Sequence, residues 1–316
     1  MKTGLLLPAW SYAVAGATLT TRELLAFAKQ AVAAGFTSLW VSDHFLNEPY
    51  VDYAAVDIAF PDEYRGIKSG QWECWSLMAA LAACTQDVTL GTLVTNTAFR
   101  NPALLARIID TVDDISAGRL VVGLGAGDFA TEHRAFGYDF ERPIARFEEA
   151  LSIIRPLLRG ETLTHQGEFY RTDGASLLPK GLRTAGPPIM IGLLRGGPRM
   201  LRLVAEYADQ WNCMLPFSDS RVASYVAAWQ RLSAACEKHG RDPATLARNV
   251  TVGMCLSDHY PLPGALPLRG SRQQLIDACL AYREQGVETL SMVVEPCTEA
   301  SLDALAPVLA ALQVRS

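Results

Sequence analysis

Apolar runs of strand length alternate along the chain with amphipathic stretches of helix length, and the alternation repeats eight times. Strand-like runs fall at Thr3–Leu7, 37–42 (TSLWVS), 88–95 (VTLGTLVT), 119–127 (RLVVGLGAG), 188–192 (PIMIG), 210–215 (QWNCML), 250–257 (VTVGMCLS) and 289–294 (TLSMVV). Most are continuously apolar, as expected of parallel strands covered on both faces. Helical stretches follow each run, and several carry their own start and stop signals. Thr20-x-x-Glu23 reads as a capping box, in which each side chain satisfies a free backbone amide of the other residue, and Gly35 suits the left-handed stop behind it. Asn101-Pro102 offers a capping side chain followed by a residue whose missing N–H costs nothing at the first helical position. Eight such units predict one domain over residues 1–316, an α/β closed (β/α)8 TIM barrel, with a doubly wound open sheet as the competing arrangement.

Two stretches break the rhythm, one after the second strand (45–70) and one before the fifth (159–187). The second contains ETLTHQGEFYRT, where Gly167 between two strand-like pieces suggests a hairpin. The first has no sustained period and mixes Tyr50, Tyr53, Phe60 and Tyr64 with Asp52, Asp57, Asp62 and Glu63. It reads either as a lid over the mouth of the barrel or as an insertion packed on the rim or in a dimer interface.

Composition narrows the function. Half of the 316 residues are hydrophobic and 19% are charged, the make-up of a globular core. The formal net charge of −5, with no basic run, argues against nucleic-acid binding. No apolar run reaches the ~18–20 residues of a membrane span, and the start of the chain lacks the features of a signal peptide. The seven cysteines are scattered and never spaced CxxC, which points to a reducing cytoplasm rather than a disulfide framework or zinc site.

In such barrels the chemistry sits at the C-terminal ends of the strands. None of the five lysines falls at a predicted strand end, which argues against Schiff-base catalysis. There is no HxH, HExxH or GxSxG, and of the five histidines only His44 stands at a barrel strand end. No metal site is expected. Gly196-Gly197 before a helix would let backbone amides approach an anion, although a plain turn explains it as well. Arg195, Arg199, Arg202, Lys180 and Arg183 read as a solvated basic rim or as company for a phosphorylated cofactor tail. Trp10, Trp72, Trp75 and Trp211 belong either to an apolar pocket or to the core.

With these residues in place, the sequence resembles the bacterial-luciferase-like superfamily of flavin and deazaflavin oxidoreductases. The matching stretches are SLWVSDHF (38–45), LGTLVTNTAFRNPALLAR (90–107), DDISAGRLVVGLGAG (113–127), EHRAFG (132–137), RFEEAL (146–151) and LRLVAEYADQWN (201–212). The pattern is similar to the branch that uses the deazaflavin coenzyme F420. The resemblance implies acid–base chemistry by His44, against a structural histidine bonded to Asp43. It implies contact of Asp43 with the cofactor ring and a non-prolyl cis peptide at Leu93-Val94 beneath it, against an ordinary trans strand. Asp128 falls where relatives carry an acid, against a helix cap. Asn96 stands at the end of the third strand, beyond Leu93-Val94, and is grouped with the cofactor-binding positions. Gly196 and Gly197 would take the phosphate, although the family's IGGGG here reads IGLLRGG (191–197). The position where dehydrogenase relatives carry a tryptophan is Glu48, and lysines to grip a sugar phosphate are not evident.

The expectation is thus hydride transfer between F420 and a small organic substrate, in a homodimer. The alternatives are an FMN-dependent monooxygenase fed by a separate reductase, and a non-catalytic flavin-binding barrel.

Overall fold

The computed structural model describes residues 1–10, 18–54, 60, 62–193, 196–215, 219–258 and 265–314. Eight parallel strands close into a barrel: β1 (Lys2–Leu6), β2 (Ser38–Val41), β3 (Thr89–Thr92), β4 (Leu120–Gly125), β5 (Ile189–Leu193), β6 (Gln210–Met214), β7 (Ala247–Cys255) and β8 (Thr289–Glu295). Each pairs with the next, Met190 facing Gly123 between β5 and β4, and closure comes where β8 returns to β1 with Met292 facing Leu5. A two-residue piece, Thr95–Asn96, resumes pairing with β4 beyond the end of β3.

Eight helices cover the barrel: α1 (Thr21–Ala33), α2 (Cys74–Cys84), α3 (Pro102–Ile115), α4 (Pro143–Leu158), α5 (Pro198–Tyr207), α6 (Val222–Lys238), α7 (Arg272–Glu284) and α8 (Glu299–Val314). The Thr20/Glu23 capping box starts α1, and the Asn101 side chain accepts from the amides of Ala103 and Leu104 to start α3. The expected hairpin is present, Leu163–Gln166 against Arg171–Ala175. A seven-residue helix, Ala130–Phe136, falls between β4 and α4, where the sequence pattern indicates none.

Inside the barrel, Trp40 is buried with Leu93, Val121 and Met190. Its indole fits because two neighbours lack side chains. A Cβ on Gly4 would lie 2.3 Å from Trp40 Nε1, and one on Gly91 would lie 2.2 Å from Trp40 Cζ3. Leu6, Val94 and Met214 pack on this cluster and stay partly exposed, forming an apolar floor at the C-terminal end of the barrel. On the β6–β8 side the lining turns polar, with Asn212 Nδ2 donating to Asn249 Oδ1 (3.1 Å) and Thr251 Oγ1 (2.8 Å).

The insertion at 45–70 is rooted by a short antiparallel pairing of Leu46–Asn47 with Ser69–Gly70, and carries a helical turn at Pro49–Asp52 and a 3-10 turn at Asp62–Tyr64. Asp57 lies outside the described residues.

Candidate active site

The chain leaves β2 as Ser42-Asp43-His44, and buried ion pairs fix this exit. Both oxygens of Asp43, which is 1% exposed, accept from Arg100, at 2.6 and 3.1 Å. Asp43 Oδ2 also accepts from the Asn96 amide at 3.1 Å. Arg100 reaches in addition to Glu73, the residue whose side chain caps α2. One guanidinium therefore fastens the end of β2 to the loop after β3 and to the start of α2. Burial pushes the Asp43 carboxyl upward, and Arg100 pulls it back.

His44 follows. Its Nδ1 lies 2.9 Å from Glu132 Oε1 on the short helix Ala130–Phe136. The other Glu132 oxygen accepts from the amides of Phe45 (2.8 Å) and Leu46 (3.4 Å). Phe129 stacks on the imidazole with ring centroids 4.6 Å apart, and Trp10 lies 5.3 Å away. Burial works against a charge on His44, but the hydrogen bond to Glu132 and the negative charges of Asp128, Glu132 and Asp43 overcome it. Together they raise its pKa to about 9. The hydrogen-bond partner of His44 is thus Glu132 rather than Asp43.

Asp128 stands at the end of β4 beside this pair. It does not cap the following helix, whose N-cap is Phe129 with no side-chain bond. Its side chain is open to solvent yet crowded by protein on most sides. That partial desolvation raises its pKa, His44 draws it down, and Glu132 and Asp52 add to the rise. One ligand-type atom from each of His44, Asp128 and Glu132 lies within 4.8 Å of the other two.

The Leu93-Val94 peptide is cis. Val94 fills space left by two glycines, since a Cβ on Gly125 would lie 2.6 Å from its Cγ2 and one on Gly192 2.9 Å from its Cγ1. Asn96 is directed inward: its Nδ2 meets His133 Nε2 at 3.0 Å and its Oδ1 accepts from the Ala98 amide. His133 is a structural histidine, fully buried, and burial lowers its pKa. Gly197 is the N-cap of α5, with no side-chain cap, and among the described residues nothing lies within 4 Å of where its Cβ would stand. At Gly196 a Cβ would press on Leu201 at 3.0 Å.

The basic rim separates into parts. Arg199 and Arg202, in the first turns of α5, are both bonded to Glu148. Lys180 and Arg183 are not at the mouth: they pair with Asp110 and Asp113 of α3, and Arg183 also bonds the Leu120 carbonyl at the start of β4, the opposite end of the barrel. Arg195 lies outside the described residues. Of the four tryptophans, Trp10 stands beside His44, Trp75 and Trp211 are buried in the core, and Trp72 is exposed. Sequence reasoning assigned no role to Glu132. The signal available was a carboxylate in the EHRAFG piece that the structure shows wholly buried.

Fold and site together define a (β/α)8 barrel with an apolar floor and a carboxylate-held histidine at its C-terminal mouth. The chain belongs to the luciferase-like monooxygenase family, whose model matches residues 1–259. It is 35% identical over 187 residues to a 5,10-methylenetetrahydromethanopterin reductase of Archaeoglobus fulgidus, covering 59% of this chain and 47% of that protein. The matched part spans 47% of that protein, 56% of the same-named reductase of Methanolobus tindarius and 60% of a phthiodiolone/phenolphthiodiolone dimycocerosates ketoreductase of Mycobacterium kansasii. Among solved structures, an F420-dependent secondary alcohol dehydrogenase in complex with an F420-acetone adduct shares the fold with TM-score 0.77 and 18% identity, covering 98% of each chain. A riboflavin lyase with modified FMN and riboflavin shares it with TM-score 0.78 and 13% identity, over 99% of this chain and 91% of that one.

Proposed function

We propose that this protein is an oxidoreductase that transfers a hydride between the deazaflavin coenzyme F420 and a small organic carbonyl or alcohol. The observation that carries this reading is His44 at the strand-end mouth, held by one nitrogen and standing beside an apolar floor of Leu6, Val94 and Met214. The floor fits one face of a planar ring system. The N-terminus of α5, open above Gly197, fits the anionic tail. When bound, the cofactor supplies the hydride chemistry. The chain orients the two partners, and His44 exchanges a proton with the substrate oxygen. With its pKa raised to about 9, His44 is protonated at neutral pH and suits the reductive direction, in which the carbonyl oxygen takes a proton as its carbon takes the hydride. Asp128 stabilises the charge on His44.

Two features support the neighbouring expectations. No disulfide joins the cysteines among the described residues, in keeping with a reducing cytoplasm, and no helix among the described residues is long and apolar enough to cross a membrane. A homodimer, and a separate enzyme that regenerates the reduced cofactor, complete the proposal.

The second reading, an FMN-dependent monooxygenase, uses the same floor and the same histidine. Titrating the protein with oxidised and reduced F420 and FMN, followed by fluorescence, separates the two. Binding of F420 and its turnover with a carbonyl panel is the expected result. Tight FMN binding with no response to F420 gives the monooxygenase. Binding of neither leaves a barrel without redox function.

A further inference from the structure

We infer that Glu132 is a positioning residue: it keeps a proton on His44 Nδ1 and so leaves Nε2 as the nitrogen that faces the substrate. This rests on the reading of His44 as the proton-exchanging group. The geometry is specific. Glu132 is completely buried, and its Oε1 lies 2.9 Å from Nδ1. An ionised carboxylate has no hydrogen to give, so a contact at that distance requires the hydrogen to be on the ring nitrogen. Nε2 has no hydrogen-bond partner among the described residues, and the ring is 16% exposed. Its orientation is further restrained by Phe129 stacked on it at 4.6 Å.

Glu132 is also tied from its far side. Its Oε2 accepts from the amides of Phe45 and Leu46, so the carboxylate that holds the ring also holds the backbone next to it. The charged and titratable groups facing His44 are Asp43 from the end of β2, Asp128 from the end of β4, and Glu132 and His133 from the short helix. Asp43 is engaged by Arg100, and His133 by Asn96 and the Asp139 carbonyl. Among the described residues, only Glu132 makes a hydrogen bond to the ring.

The test reads the imidazole directly and needs no cofactor. Glu132→Gln keeps the side chain's size and one oxygen for the Phe45 and Leu46 amides. It presents an NH2 to Nδ1, which must then accept, so the proton moves to Nε2. Long-range proton–nitrogen spectra of protein labelled at histidine, with His44 assigned by its loss in His44→Asn, report the tautomer and the titration. The wild type is expected to hold the Nδ1–H form. The Gln variant is expected to hold the Nε2–H form and to titrate about one pH unit or more lower. The same tautomer and midpoint in both proteins would overturn the inference. If the variant does not fold, the wild type alone decides: a neutral ring carrying its proton on Nε2 at high pH sinks the idea. These spectra do not depend on turnover. Absence of any redox reaction would therefore remove the proposed function while leaving the inference about Glu132 standing.

Discussion

Tyr53 lies edge-on against Phe129, with ring centroids 5.0 Å apart, and Phe129 in turn stacks on His44. The insertion after β2 is thereby joined to the imidazole through one shared ring. The row continues outward from Tyr53 to Phe60 (4.8 Å) and from Phe60 to Tyr64 (5.2 Å). Tyr64 lies close enough to Glu295, at the end of β8, for that charge to help raise its pKa, after burial and Glu63. The described part of 45–70 thus reaches from the β2 side of the mouth toward the β8 side, as a lid would.

The first prediction follows from that contact. Tyr53→Ala should raise KM for the organic substrate roughly fivefold to tenfold, since an aromatic pair contributes about 1 kcal/mol beyond its buried area. Cofactor affinity should be unchanged. Steady-state kinetics beside a fluorescence titration check this, and a change in cofactor binding alone would place the insertion elsewhere in the mechanism.

His44 gives a prediction in pH. Its pKa is about 9 in the folded protein against about 6.5 unfolded, so the protonated ring contributes stability that is fully present below pH ~6.5 and fades as pH rises through 9. The melting temperature should therefore fall across that window in the wild type, and this component should vanish in His44→Asn. The same variant should cut turnover by roughly 10²–10⁴ while cofactor binding persists. Parallel melting curves for both proteins between pH 6 and 10 reveal the difference.

Gly91→Ala tests the packing around Trp40. Its Cβ would lie 2.2 Å from Trp40 Cζ3 and 2.8 Å from the Val121 carbonyl oxygen, and that backbone atom cannot step aside without disturbing β4. Overpacking of this kind costs about 1–3 kcal/mol. Chemical denaturation should place the loss at the upper end. A variant as stable as the wild type would mean that the barrel yields more readily than its packing indicates.

At Gly197 the expected outcome is reversed. The position has φ −72° and, among the described residues, nothing within 4 Å of a Cβ, so Gly197→Val should fold with nearly unchanged stability. A branched side chain there would obstruct an anion at the start of α5 and should weaken cofactor binding by roughly tenfold or more. Isothermal titration with the cofactor measures it, and equal affinity would move the phosphate to another part of the rim.

The features that were legible in the sequence are those set by neighbours in the chain. Strand runs, the Thr20/Glu23 box, the Asn101 cap and the Gly167 hairpin depend on residues a few positions apart, and their patterns survive folding. His44 was legible because a strand end can be counted. Its partner was not: Glu132 is 88 positions away, and only the closed barrel brings them together. The helix that carries Glu132 has no capping side chain, and its buried Glu132 and His133 interrupt any apolar stripe. Lys180 and Arg183 read as a free basic rim because Asp110 and Asp113, some 70 positions earlier, neutralise them only in three dimensions.

That short helix has a consequence for assembly. Seven residues cannot hold a helix on their own in water, since nucleation is costly and few bonds reward it. Ala130–Phe136 gets its order from what it grips: Glu132 takes the backbone leaving β2, and His133 takes Asn96 beyond β3. Three strand ends must therefore be in place before His44 acquires its partner. The contact between His44 and Glu132 is thus a property of the assembled β2–β4 region, and no local segment of the chain can form it alone.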